Sequence, residues 1–157
     1  MKAIETIRKL RATTLVEIDG LSLEELNKVP AGFNNNIIWN IGHMVAAQQG
    51  ICYKRAGLPM VVEESYFERY KPGSKPERPV TQAEVEEIKS LLFSTLYQLE
   101  KDYDDGIFTS YGSFVSRYGV ELSSVTDAIE FLPFHDGFHM AYLLALRRAN
   151  RTGIKEF

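Results

Sequence analysis

Apolar residues recur at three- and four-residue intervals in four stretches of this chain, the spacing that gathers them on one face of an α-helix. Ile4, Ile7, Leu10, Thr14, Leu15 and Ile18 mark the stripe of a first long helix, which Gly20 ends. Ser22 and Glu25 stand in capping-box spacing, so a short helical turn is expected there, closed off by Pro30. Asn34, Asn35 and Asn36 each offer an N-cap for a second long helix, from about Ile37 to Arg55, stopped by Gly57 and Pro59. Thr81 and Glu84 repeat the capping box ahead of a third helix with the stripe Val85, Ile88, Leu92, Thr95 and Leu99. A fourth helix starts near Ser124 and ends before Gly153.

Two long connections separate these helices. Residues 58–80 hold four of the six prolines, Pro59, Pro72, Pro76 and Pro79, together with Gly73, and predict a connection rather than a strand or helix. Residues 104–123 hold Gly106, Gly112 and Gly119 with Phe108, Tyr111 and Tyr118, and read as irregular, with a short hairpin left open. Helices joined by tight turns run antiparallel, whereas a linker this long crosses the ~30 Å length of a bundle and lets the second and third helices run parallel. The pattern therefore predicts an all-α, four-helix bundle, up-down-down-up, with long connections between helices two and three and between three and four. No internal repeat or low-complexity segment is visible, and residues 1–157 read as one domain.

Composition narrows the functional classes. The chain is 45% apolar and 25% charged, an ordinary balance for a soluble protein, and has no run of about eighteen apolar residues to span a membrane. The start, Met1-Lys2-Ala3-Ile4-Glu5-Thr6, lacks the unbroken apolar stretch of a signal peptide. Cys52 is the sole cysteine, which excludes an internal disulfide, and a cytoplasmic location is expected. Net charge is −3, with basic residues dispersed except for Arg147, Arg148 and Arg151, which complement the C-terminal dipole of the last helix. No nucleic-acid surface is expected.

The three histidines are the chemically informative residues. His135 and His139 are four apart in a helical segment, about 40° from each other around the axis, so both imidazoles share a face with Ala128, Phe131, Leu132, Tyr142 and Leu146. As a pair they are better explained as hydrogen-bonded core histidines than as metal ligands. His43, on the second helix, changes the balance, because three imidazoles in one core strand several ring nitrogens unless an ion occupies them. Around His43, Ala46, Ala47 and Gly50 are small enough for a neighbouring helix to approach, and Trp39 is placed to wall a cavity. Cys52, nine residues beyond His43, points ~180° away on a regular helix and reads as a small buried hydrophobe rather than a fourth ligand. Three imidazoles leave coordination positions open, as catalytic and substrate-binding metal sites do. Pro133 cannot donate to the Ile129 carbonyl, so the fourth helix either begins near that point or bends there.

The Trp-Asn-x-x-His core at Trp39 to His43, followed by His135-x-x-x-His139 in a terminal helix that runs into Arg147-Arg148, resembles the DinB-like superfamily. That superfamily includes DNA-damage-inducible proteins, bacillithiol transferases and mycothiol-dependent maleylpyruvate isomerases. The resemblance covers nearly the whole chain, with looser agreement in the two long connections. It implies a four-helix bundle in which His43, His135 and His139 bind a divalent metal, usually zinc or nickel, and a reaction that uses a low-molecular-weight thiol and an electrophile.

The leading expectation is thus a metal-dependent thiol S-transferase acting on a small-molecule thiol and an electrophile. Tyr66, Phe67, Tyr70, Tyr111 and Tyr118 are candidates to roof its site, although anchoring of the long loops to the bundle is the favoured explanation of them. Asn40 and Asp136 neighbour the ligands and are placed to orient an imidazole, although solvation at the surface explains Asp136 as well. A second expectation is hydrolysis, because His135-Asp136-x-x-His139 imitates the His-Glu-x-x-His of zinc peptidases, with Asp136 activating water. A third is a non-catalytic, metal-binding stress-response protein. A homodimer is the expected assembly.

Overall fold

The structure, a computed structural model, describes residues 1–152. In chain order its elements are α1 (Lys2–Ile18), α2 (Leu23–Asn27), α3 (Ile37–Gln48), α4 (Glu64–Tyr70), α5 (Gln82–Asp104), a hairpin of β1 (Phe114–Val115) and β2 (Glu121–Leu122), and α6 (Val125–Thr152). The fold is all-α apart from that hairpin.

The helix starts are where the capping residues put them. Ser22 and Glu25 exchange side-chain and backbone bonds at the head of α2, and Thr81 and Glu84 do so at the head of α5. Of the three asparagines before α3, Asn36 is the cap, accepting from Trp39 N at 2.8 Å. Ser124 Oγ takes Asp127 N at the start of α6. α3 does not stop at Gln48 but widens into a π-helical stretch, Gln49–Lys54, which the periodicity had not separated from the helix.

Two connections hold more structure than their composition predicts. The proline-rich segment contains α4, contrary to the expectation of neither helix nor strand. Its prolines fall at positions 59, 72, 76 and 79, so the interval between the first two is proline-free. Phe67 and Tyr70, three apart within that interval, bury one face of the short helix. In the second connection Phe114 pairs with Leu122 and Val115 with Glu121. Gly119, with φ of 77°, turns the hairpin and places Arg117 and Tyr118 at its tip. Pro133 lies inside an unbroken α6, which rules out a helix start at that point.

α1 packs on α5 and α6, and α3 packs on the same two helices. Their apolar contacts form two clusters. One gathers Ile18, Ile41, Met44, Ile88, Leu92 and Leu146; the other gathers Ile4, Ile7, Cys52, Leu96, Leu99 and Leu132. Along each long helix a polar residue falls between its members of the two clusters: Arg11, Gln48, Thr95 and Asp136, all 0% exposed. Arg11 Nε donates to Asp136 Oδ2 at 2.8 Å, and its Nη1 donates to Gln48 Oε1 at 2.8 Å and to the Leu92 carbonyl at 2.7 Å. Gln48 Nε2 then donates to the Thr95 carbonyl at 3.0 Å. One guanidinium thereby ties four helices together at mid-height, and its charge is tolerable there because a carboxylate and two further acceptors surround it.

No helix among the described residues is long and apolar enough to cross a membrane.

Candidate metal centre

α3 supplies His43, and α6 supplies His135 and His139 from successive turns. The four-residue spacing aims both α6 imidazoles at α3, and the ring centroids lie 5.2 Å (His43 to His135), 4.6 Å (His43 to His139) and 4.6 Å (His135 to His139) apart. One nitrogen of each ring lies within 4.8 Å of the others, a group able to hold a metal ion.

Two of the rings are fastened through Nδ1. His43 Nδ1 is 2.6 Å from the Tyr70 carbonyl. A carbonyl only accepts, so this nitrogen carries the proton and Nε2 keeps its lone pair for an ion. His139 Nδ1 is 2.8 Å from Asn40 Oδ1 in the same way. Asn40 cannot turn its amide over, because its Nδ2 already donates to Asn35 Oδ1 at 3.0 Å and to the Asn36 carbonyl at 2.8 Å. His135 Nδ1 is buried without a hydrogen bond; the nearest carboxylate oxygen, Asp136 Oδ1, is 3.6 Å away and is likewise unpartnered. Trp39 stacks on His43 at 4.8 Å with the planes 9° apart, and so fixes the tilt of that ring.

The histidines open into a cavity of about 910 Å³. Ala46, Ala47 and Gly50 line it, and at Gly50 the short helix α4 comes close, because a side chain added there would meet Phe67 Cε2 at 3.2 Å. Of the five aromatics considered for its roof, Phe67 and Tyr118 line the cavity. The other three anchor loops: Tyr66 donates to the Gly42 carbonyl, Tyr111 donates to the Ile51 carbonyl, and the Tyr70 ring lies against Gly42. Phe131 and Phe138 of α6 complete the aromatic wall, together with Phe114 of the hairpin. A small-molecule site of this size is mostly apolar with a few convergent polar groups, which describes this cavity.

The chain matches the DinB superfamily over residues 6–143, a stretch that contains all three histidines. It belongs to that superfamily. No curated protein gives a significant match.

In this DinB-superfamily chain the electrostatics suit ligation. Burial pushes the His43 imidazole down to about 4, although the Tyr70 carbonyl pulls the other way. Burial, reinforced by the neighbouring His135 and His43, pushes His139 down to about 3. Both rings are therefore neutral near pH 7, the form that binds a metal. Cys52 lies among the apolar residues of the second cluster, and burial raises its thiol pKa, so it behaves as a hydrophobe.

Asp136 corrects an expectation. It is not a solvated surface residue: burial alone would raise its carboxyl, but the Arg11 guanidinium holds it below the usual carboxylate range. Arg11 itself escaped the sequence reading, although it sits four residues after Ile7 and three before Thr14, on the buried stripe of α1. A charged residue in phase with an apolar stripe was the available signal. The Tyr70 carbonyl carried no signal, because it depends on α4.

Proposed function

We propose that His43, His135 and His139 together hold one divalent metal ion, zinc or nickel, and that the protein uses it as a thiol S-transferase. One observation carries this reading: two Nδ1 atoms are held by acceptors, which leaves their Nε2 lone pairs for an ion, in a group of three imidazoles whose ligand atoms lie within 4.8 Å of one another at the wall of a ligand-sized cavity. A bound divalent ion stabilises thiolate over thiol at neutral pH and so supplies the nucleophile. The chain's own part is to keep the His43 and His139 imidazoles neutral, to fix their tilt through Trp39, Tyr70 and Asn40, and to surround the electrophile with aromatic rings. The same reading takes the four long helices as an up-down-down-up bundle, in accord with α1 and α3 each packing on both α5 and α6.

Hydrolysis by Asp136 gains no support. Its Oδ2 is committed to Arg11 and it does not line the cavity, so it is poorly placed to activate a water there.

Elemental analysis of protein purified without chelator tests the metal. The native chain is expected to carry about one equivalent, and the His135→Ala/His139→Ala variant none. A native chain that carries no metal and binds none on addition overturns the proposal. Thiol chemistry is tested by metal-dependent loss of an electrophile across a panel of small thiols, abolished by His43→Ala. Protein that retains its metal yet consumes no electrophile with any thiol would be a binding protein instead.

A further inference from the structure

The charge around the cavity is one-sided. Lys54, Arg55 and Arg117 line it and no aspartate or glutamate does, although the chain as a whole carries a net charge of −3. The two arginines also differ from five others on the fold. Arg8, Arg11, Arg69, Arg78 and Arg147 each hold a carboxylate, from Glu100, Asp136, Glu84, Glu84 and Glu17 respectively. Arg55 and Arg117 hold none among the described residues; each lies over a ring instead, 4.2 Å from the Phe114 centroid and 5.4 Å from that of Tyr118.

That placement leaves a specific capacity. Stacking occupies the flat face of a guanidinium and leaves its N–H edge free, and that edge matches the two oxygens of a carboxylate. Lys54 is less available, being shared between Glu64 at 3.4 Å and the Phe67 ring. The two arginines are brought to the same cavity by the fold. Arg55 follows the π-helical stretch, its carbonyl accepts from Gly112 N at 2.7 Å, and the strand pair beyond Gly112 carries Arg117 at its tip. The charge of Arg117 is felt at His139, so the cationic side and the histidine side belong to one cavity.

We infer that the cavity takes a small organic acid, its carboxylate held by Arg55 and Arg117 while its other end lies at the three histidines. Phe67, Tyr118 and Phe138 would cover its apolar body. The inference deepens the proposed function by naming the charge its ligand carries. A carboxylate-bearing thiol and a carboxylate-bearing electrophile share this chemistry, and paired probes separate them.

The test is calorimetric titration of the protein as purified with two pairs of probes. One pair is 3-mercaptopropionate and 2-mercaptoethanol, the other 3-phenylpropionate and 3-phenylpropionamide. The acid of at least one pair is expected to bind about tenfold more tightly than its neutral partner, as two charge-assisted hydrogen bonds allow. A preference in the mercapto pair alone assigns the carboxylate to the thiol. A preference in the phenyl pair alone assigns it to the electrophile. In Arg55→Gln/Arg117→Gln the preference should vanish while the neutral probes bind as before, which also shows that this variant of two exposed residues is folded. Equal binding of acid and neutral probe in both pairs, or a preference that survives the double substitution, overturns the inference. If no thiol reacts but the phenyl pair still shows an arginine-dependent preference, the proposed function fails and the inference stands.

Discussion

Arg11 of α1 and Asp136 of α6 meet at 2.8 Å, Nε to Oδ2, with neither side chain exposed to solvent. Asp136 lies next in sequence to His135, so the same turn of α6 that offers a candidate ligand also binds the helices together. Asp136→Asn would leave the guanidinium charge buried without its counter-ion, at an expected cost of about 3–5 kcal/mol in urea unfolding. Arg11→Met/Asp136→Leu should recover part of that loss, because both charges leave together. It should not recover all of it, since Gln48 Oε1 and the Leu92 carbonyl lose their donor.

The Asn40 amide holds His139 through Oδ1 and is itself held by Asn35 and Asn36. Asn40→Ala frees that imidazole to rotate. Metal affinity, measured by competition with a chromophoric chelator, should fall by about 10–100-fold, the usual effect of removing a group that orients a ligand. An unchanged affinity would mean that Asn40 has no part in positioning His139.

Two helical glycines near the histidines should respond to alanine with opposite sign. At Gly42 an added Cβ would lie 2.7 Å from Tyr70 Cδ1, and the ring it displaces belongs to the residue whose carbonyl holds His43. Gly42→Ala is expected to lose about 1–3 kcal/mol and to weaken metal binding. At Gly137, between the two α6 histidines, nothing lies within 4 Å of the added carbon. Gly137→Ala should therefore gain about 0.5–1 kcal/mol from reduced backbone freedom in the unfolded chain. Denaturant midpoints of the two variants check both signs.

The depressed histidines make the metal-free protein acid-sensitive. His43 and His139 titrate at about 4 and about 3 when folded, below the ordinary value of 6.5 that they regain on unfolding. The unfolded chain therefore binds more protons over that interval, so their contribution is present above pH 6.5 and is lost as pH falls through the folded values. Asp136, also depressed when folded, extends the same trend below its unfolded value of 3.8. Thermal midpoints of metal-free protein should decline from pH 7 toward pH 4, and His139→Leu should make the decline shallower. An equally steep decline in that variant would show that His139 is not the group responsible.

The sequence by itself determined the four long helices and the three ligand candidates. Capping boxes at Ser22 and Thr81, the Asn36 cap and the stripe on α5 are local signals, set by residues three or four apart, and each was legible without any tertiary contact. The i, i+4 spacing of His135 and His139 is local in the same sense. What the chain could not state in advance is anything that depends on which helix faces which. Arg11 has no legible partner until Asp136, Gln48 and Leu92 come from three other helices to surround it. Asp136 read equally well as a surface residue for the same reason. α4 was hidden because a seven-residue helix is too short to be stable alone and forms where Phe67 and Tyr70 find a surface to bury against. Through that helix comes the Tyr70 carbonyl that fixes His43, so the tertiary structure, not the spacing, decided how the centre is aimed.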